Sequence, residues 1–190
     1  YTIAPSEDPV DELLPKKPPC SRMPAYMERK KVLILSCGGL ALGEHAGQKE
    51  LDAIFQRIFQ LQMVADISAQ FVWSGAGTDM AFDVWDRLIG AIATNATKYD
   101  GFVVIHGVDN VLYTSALVSF LFQHLRKPIV FFGPHKKEWR KDTNSQDIFF
   151  ELSLLNAVAL ATIPSAETML FYGTRVIRAT RAKRDESSEL

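Results

Sequence analysis

The sequence predicts an α/β fold, a doubly wound parallel sheet with helices on both faces, preceded by an extended proline-rich arm. Three observations carry that reading. Between residues 31 and 173, short apolar runs alternate with stretches whose apolar residues recur at helical spacing. The runs are continuously apolar, as strands are when both faces of their sheet are covered. The turns after the first three runs are rich in glycine, as where such sheets bind ligands at the carboxyl ends of their strands.

The elements follow in order. "KVLILS" (31–36) is a β run. Residues 49–62 place Leu51, Ile54, Phe55, Ile58 and Phe59 on one helical face. "QFVWS" (70–74) is β, and 79–97 sets Met80, Val84, Leu88 and Ile92 at helical spacing. "GFVVIHG" (101–107) is β, and 113–125 is helical through Leu117, Phe120 and Leu121. "PIVFFG" (128–133) is β, 144–161 is helical through Ile148, Leu152, Leu155 and Ala159, and "TMLFYG" (168–173) is a last strand. Strand–helix alternation of this kind yields a parallel sheet with right-handed crossovers.

Residues 1–30 break the pattern. Six of the nine prolines (Pro5, Pro9, Pro15, Pro18, Pro19 and Pro24) fall there, and apolar periodicity is missing. Ordering such an arm costs roughly 1–2 kcal/mol per residue, which its scattered apolar side chains cannot offset alone. It is therefore expected to lie across partner protein chains. Residues 31–185 form the domain and 186–190 a tail.

Composition narrows the function classes. A chain of 190 residues with net charge −1 has no overall field to draw it to nucleic acid. No apolar run reaches the roughly 20 residues of a membrane span. Cys20 and Cys37 make no disulfide framework, which fits a reducing, intracellular setting. His45, His124 and His135 are dispersed without metal-ligand spacing, so neither metal nor cofactor is expected.

Three turns qualify for chemistry: "SCGGLALG" (36–43), "SGAGTDM" (74–80) and "HGVDN" (106–110). Gly38, Gly39, Gly75, Gly77 and Gly107 permit close backbone approach to a small ligand. None of the turns is a phosphate loop, for no G-x-x-x-x-G-K occurs and no G-x-G-x-x-G is complete. "HKKEWRKD" (135–142) reads as a solvated charged loop. "RVIRATRAKR" (175–184) lacks interleaved aromatics and reads as part of a docking tail (175–190) or as an exposed strand edge.

"KVLILSCGGLA", "YDGFVVIHGVDNVLYTSALVSFLFQHLRKPIVFFG" and "LLNAVALA" together resemble the amino-terminal domain of bacterial-type L-asparaginases. The similar glutaminase-like subunit of archaeal glutamyl-tRNA amidotransferase shares these features. The resemblance spans about 31–185 and implies nucleophilic catalysis. A threonine attacks the side-chain amide carbon, helped by a mobile-loop tyrosine, while a second threonine, an aspartate and a lysine relay the proton. It also implies a second, smaller domain, which is expected to be absent here.

Carried over position by position, those roles fall on residues that cannot perform them. The family's T-G-G-T is Cys37, Gly38, Gly39 and Leu40 here, so the nucleophile position is Leu40. In the family's H-G-T-D-T the relay threonine falls on Val108, Asp109 is kept, and Asn110 follows. The substrate-binding serine falls on Gly77, and the relay lysine on Lys183 or Arg184. Residues 41–98 contain no tyrosine. Catalysis by Cys37 is disfavoured because it stands three residues before the nucleophile position and no histidine is expected at its side; His106 opens a different turn and could approach it only through the fold. Asp109, without relay partners, reads as a cap for the helix beginning near 111. Cys37, Gly38, Gly39, Gly77, Gly107 and Asp109 then outline a vestigial pocket, with Leu40 and Val108 packing where a substrate's polar head would sit.

The expected function is a non-catalytic, asparaginase-like structural subunit of a larger, mitochondrial protein assembly. The alternatives are a diverged amidohydrolase acting on asparagine- or glutamine-type amides, and a small-molecule sensor.

Overall fold

A computed structural model describes residues 29–38, 47–76, 79–133 and 143–183. Residues 1–28 of the arm, the charged loop 135–142, the tail 186–190, and Gly39, Leu40, Gly77 and Arg184 lie outside the described residues.

Six strands form one sheet: β1 (Lys31–Cys37), β2 (Asp66–Trp73), β3 (Gly101–His106), β4 (Ile129–Phe132), β5 (Thr168–Tyr172) and β6 (Arg175–Arg178). Their order is β2-β1-β3-β4-β5-β6. The first five are parallel, and β6 returns antiparallel to β5. Gly173, in the left-handed region at φ 56°, makes the tight turn of that hairpin. The segment from 175 thus opens with an exposed edge strand, one strand more than the apolar pattern signals. Val176 and Ile177 are flanked by arginines, whose charge suits an unpaired edge.

The helices are α1 (Gln48–Arg57), α2 (Leu61–Val64), α3 (Phe82–Asn95), α4 (Val111–Leu121) and α5 (Thr143–Thr162). Side chains of β1 alternate between two cores, as the period of two requires. Val32 and Ile34 join Leu51, Ile58, Leu61, Leu154, Ala157 and Val158 under α1, α2 and α5. Leu33, Leu35 and Cys37 join Val84, Leu88, Ile92, Val111 and Val118 under α3 and α4. Burying large side chains on both faces contributes roughly 1.5–3 kcal/mol apiece, which makes the central strands the stable heart of the fold.

Two elements depart from the sequence pattern. The helix expected over 49–62 divides at Ile58, which leaves helical geometry (φ −99°, ψ 71°) to turn its side chain into the core. Phe59, read as part of the packed face, is exposed instead. β2 begins at Asp66, four residues before the apolar run, because an edge strand needs only alternation. Its free edge is guarded locally. Phe71 N–H donates to Gln48 Oε1 (2.7 Å), and Gln48 Nε2 donates to the Ala69 carbonyl (3.2 Å). The glutamine amide stands in for a neighbouring strand's peptide group.

The lysine–proline pair before β4 has a structural role. Lys127 Nζ donates to the carbonyls of Ala96 (2.6 Å) and Tyr99 (2.5 Å), closing the carboxyl end of α3.

Candidate functional site

With strand order 2-1-3-4-5, connections leave β1 and β3 in opposite directions, opening a crevice at their carboxyl ends. Cys37 and His106 are the last residues of those strands and are register partners. In-register residues of parallel neighbours project to the same face. Both therefore project toward α3 and α4. His106 thus reaches Cys37 by the one route open to it, the fold: no histidine lies near Cys37 within its own turn, and the pairing of β1 with β3 supplies one.

The pair is not electrostatically activated. Burial pushes the Cys37 thiol up to about 12, Arg87 opposing weakly. Burial likewise lowers His106 to about 4, against the opposing hydrogen bond to Gly107. A thiolate–imidazolium pair needs the reverse shifts. His106 Nδ1 lies 2.8 Å from the Gly107 carbonyl, which assigns the proton to Nδ1. Nε2 is buried with no hydrogen-bond partner among the described residues. The ring lies 6.0 Å from that of Phe131.

The glycine turn after β1 is closely covered. Gly38 takes φ 83° and donates its N–H to the Trp73 carbonyl at 2.9 Å. A Cβ on Gly38 would stand 2.8 Å from the Trp73 ring and 3.4 Å from Met80 Cε. The same indole leaves no room for a side chain at Gly75. Glycine here thus admits a tryptophan ring. Trp73 is the residue that turn-by-turn reading missed; its signal was a large aromatic ending β2 immediately before a glycine turn. Behind it, Trp85 Nε1 donates to Thr114 Oγ1 (3.0 Å), which approaches Met80 Sδ at 3.7 Å.

The remaining positions divide. Gly107 is buried after β3; Val108 and Asp109 are half-buried. Gly133, whose missing side chain accommodates the His106 carbonyl, brings the end of β4 beside Val108. The N-cap of α4 is Asn110, so Asp109, read as the cap, precedes that position. Lys183 is exposed, beyond a 3-10 turn (Ala179–Arg181) that packs on α4. Cys37, Gly38, Gly107, Val108 and Asp109 thus gather at the carboxyl ends of β1 and β3. Among the described residues, no group of three or more His, Cys, Asp or Glu side chains could hold a metal ion. No described helix is long and apolar enough to cross a membrane.

Comparison with known proteins gives the same frame. The family model described as "Asparaginase, N-terminal" matches residues 31–190. L-asparaginase 1 of Escherichia coli is 33% identical over 107 residues, covering 55% of this chain and 30% of that protein. A glutamyl-tRNA(Gln) amidotransferase subunit from Thermoplasma acidophilum is 36% identical over 63 residues, covering 33% of this chain and 15% of that protein. The crystal structure of L-asparaginase I from Vibrio cholerae superposes with a TM-score of 0.65 at 27% identity, covering 84% of this chain and 49% of that one. The chain spans a third or less of these two curated relatives and about half of the solved structure.

Proposed function

The chain belongs to the asparaginase family through that amino-terminal domain, and on this footing we propose that it is a non-catalytic, asparaginase-like subunit of a larger protein assembly. The observation that carries the reading is the state of the turn after β1. Its cysteine is buried with a thiol held up at about 12, and Trp73 packs over its glycine. The family's two reactive threonines correspond to Leu40 and Val108, which have no hydroxyl to deprotonate. One of the relatives above is itself named as a subunit. A net charge of −1 favours protein contacts over RNA, and a mitochondrial assembly is our first choice of setting.

The test measures ammonia release from L-asparagine and L-glutamine by the purified chain, alongside its recovery with partners. No turnover above the uncatalysed rate is expected. Deleting residues 1–28 should leave the fold intact and weaken incorporation into the assembly. Turnover abolished by Cys37→Ser or Asp109→Ala would instead establish the diverged amidohydrolase, the reading favoured by the Cys37–His106 register. An amino acid bound in a manner lost with Asp109→Ala would favour the sensor. Cell fractionation that placed the chain outside mitochondria would remove that setting.

A further inference from the structure

Where the arm enters the domain, its path is fixed. Lys31 N–H donates to Asp100 Oδ2 (2.9 Å), and the Lys30 carbonyl accepts from the Asp66 amide (2.9 Å). One residue earlier, Arg29 Nη1 donates to the Gln62 carbonyl at 3.0 Å and stands 4.0 Å from Asp66 Oδ1. Gln62 belongs to α2, and its carbonyl is one that so short a helix does not bond itself. Arg29 thus ties the end of the arm to α2. The surface around that tie is apolar and uncovered. Phe59, just before α2, and Met63, within it, are each more than half exposed, and Val64 is exposed. Leu152 and Ile163 are more than half exposed on α5, against which α2 packs.

We propose that residues 23–27 of the arm, Met-Pro-Ala-Tyr-Met, fold back on their own domain and cover this face, Met27 and Tyr26 over α2 and Met23 toward α5. The inference goes beyond the subunit reading and does not depend on it; it leaves residues 1–22 to partner chains. Three features point to this occupant. The first is reach. At roughly 3.3 Å per residue, Met27 stays within about 7 Å of Arg29, and Met23 within about 20 Å. Packed helices lie about 8–10 Å apart, so the segment crosses α2 and arrives at α5. The second is composition. Met23, Tyr26 and Met27 set three large apolar side chains within five positions, immediately before the tie at Arg29. Both residue types suit a half-wet surface. A thioether chain adapts to uneven gaps, and a phenol buries its ring while its hydroxyl stays at the rim. Pro24 fixes its own φ and holds Met23 extended, so less freedom is lost on docking. The third is local concentration. Only Glu28 separates Met27 from Arg29, which holds the segment at the face at roughly millimolar concentration or above, ahead of a second copy or a partner.

Methionine oxidation reads this contact, since a covered thioether reacts slowly. Met23, Met27 and Met63 lie in the proposed contact, and Met80, packed on the other face of the sheet, is an internal reference. The full 190-residue chain is treated with dilute hydrogen peroxide, and each sulfoxide is followed by peptide mass spectrometry. Met63 should oxidise at least about fivefold more slowly than in a Tyr26→Glu/Met27→Glu variant, with Met80 unchanged, and the slowing should be the same at about 1 and about 100 μM protein. Met63→Glu, at an exposed site where circular dichroism should not change, should in turn speed the oxidation of Met23 and Met27. Equal rates at Met63 in the parent chain and the arm variant would overturn the proposal. So would slowing that fades on dilution, which would make a second copy the occupant. Slowing found only in a recovered assembly would give the face to a partner and overturn it too. The primary reading uses the purified chain, so its failure is distinct from failure of the subunit reading.

Discussion

Cys37 and His106 stand opposite each other in the parallel register of β1 and β3, as the final residues of both strands. Burial drives their titrations apart, the thiol up to about 12 and the imidazole down to about 4, so both are neutral at pH 7.

Stability should therefore plateau between about pH 6.5 and 9. His106 binds its proton near 6.5 when unfolded but only near 4 when folded. The unfolded state takes up more protons in that window, so stability falls as pH drops through it, by about 3 kcal/mol in all. Above pH 9 the unfolded Cys37 thiol ionises while the folded one does not, and stability falls again. Urea unfolding across pH 4–9 reads the acid limb, and His106→Gln should flatten it.

Cys37 should be inert in the native state. In a Cys20→Ser background, a thiol reagent at pH 8 should label the chain no faster than it unfolds, since thiolate is the reactive form. Rapid labelling of folded protein would show that the crevice admits the reagent.

Two glycines should respond oppositely to alanine. Gly90 lies within α3 with open space where a Cβ would point. Gly90→Ala should stabilise by roughly 0.5–1 kcal/mol through helix propensity. A Cβ on Gly133 would overlap the His106 carbonyl. Gly133→Ala should cost about 1–3 kcal/mol or more, since backbone must move. Thermal denaturation of the two variants checks both signs.

Gln48→Ala should uncover the outer edge of β2. The Phe71 amide loses its acceptor and the Ala69 carbonyl its donor. Hydrogen exchange at Phe71 should accelerate, stability should fall by about 1 kcal/mol, and aggregation on mild heating should increase. Unchanged exchange would mean that the glutamine does not guard the edge.

The alternation of apolar runs and helical stripes was enough to read β1 through β5, the two-sided core and the placement of the glycine turns at the strand ends. Those features depend on local periodicity and on burial, which single segments encode. The likeness of 31–185 to an asparaginase domain rested on quoted motifs and agrees with the family match. β6 was legible only as one of two options, an exposed strand edge or a docking tail, because a short edge strand flanked by arginines carries little apolar signal, and its antiparallel pairing with β5 was not legible at all. Nor was the early start of β2, where alternation replaces a continuous run. The neighbours of each turn depended on tertiary structure alone. Residues 37 and 106 are 69 positions apart, and only the β1–β3 pairing makes them partners. Trp73 covers Gly38 because β2 lies on the other side of β1. Strand order is a long-range choice, made by the whole core at once, so the chemistry of a crevice formed between strands is not written in any one of them.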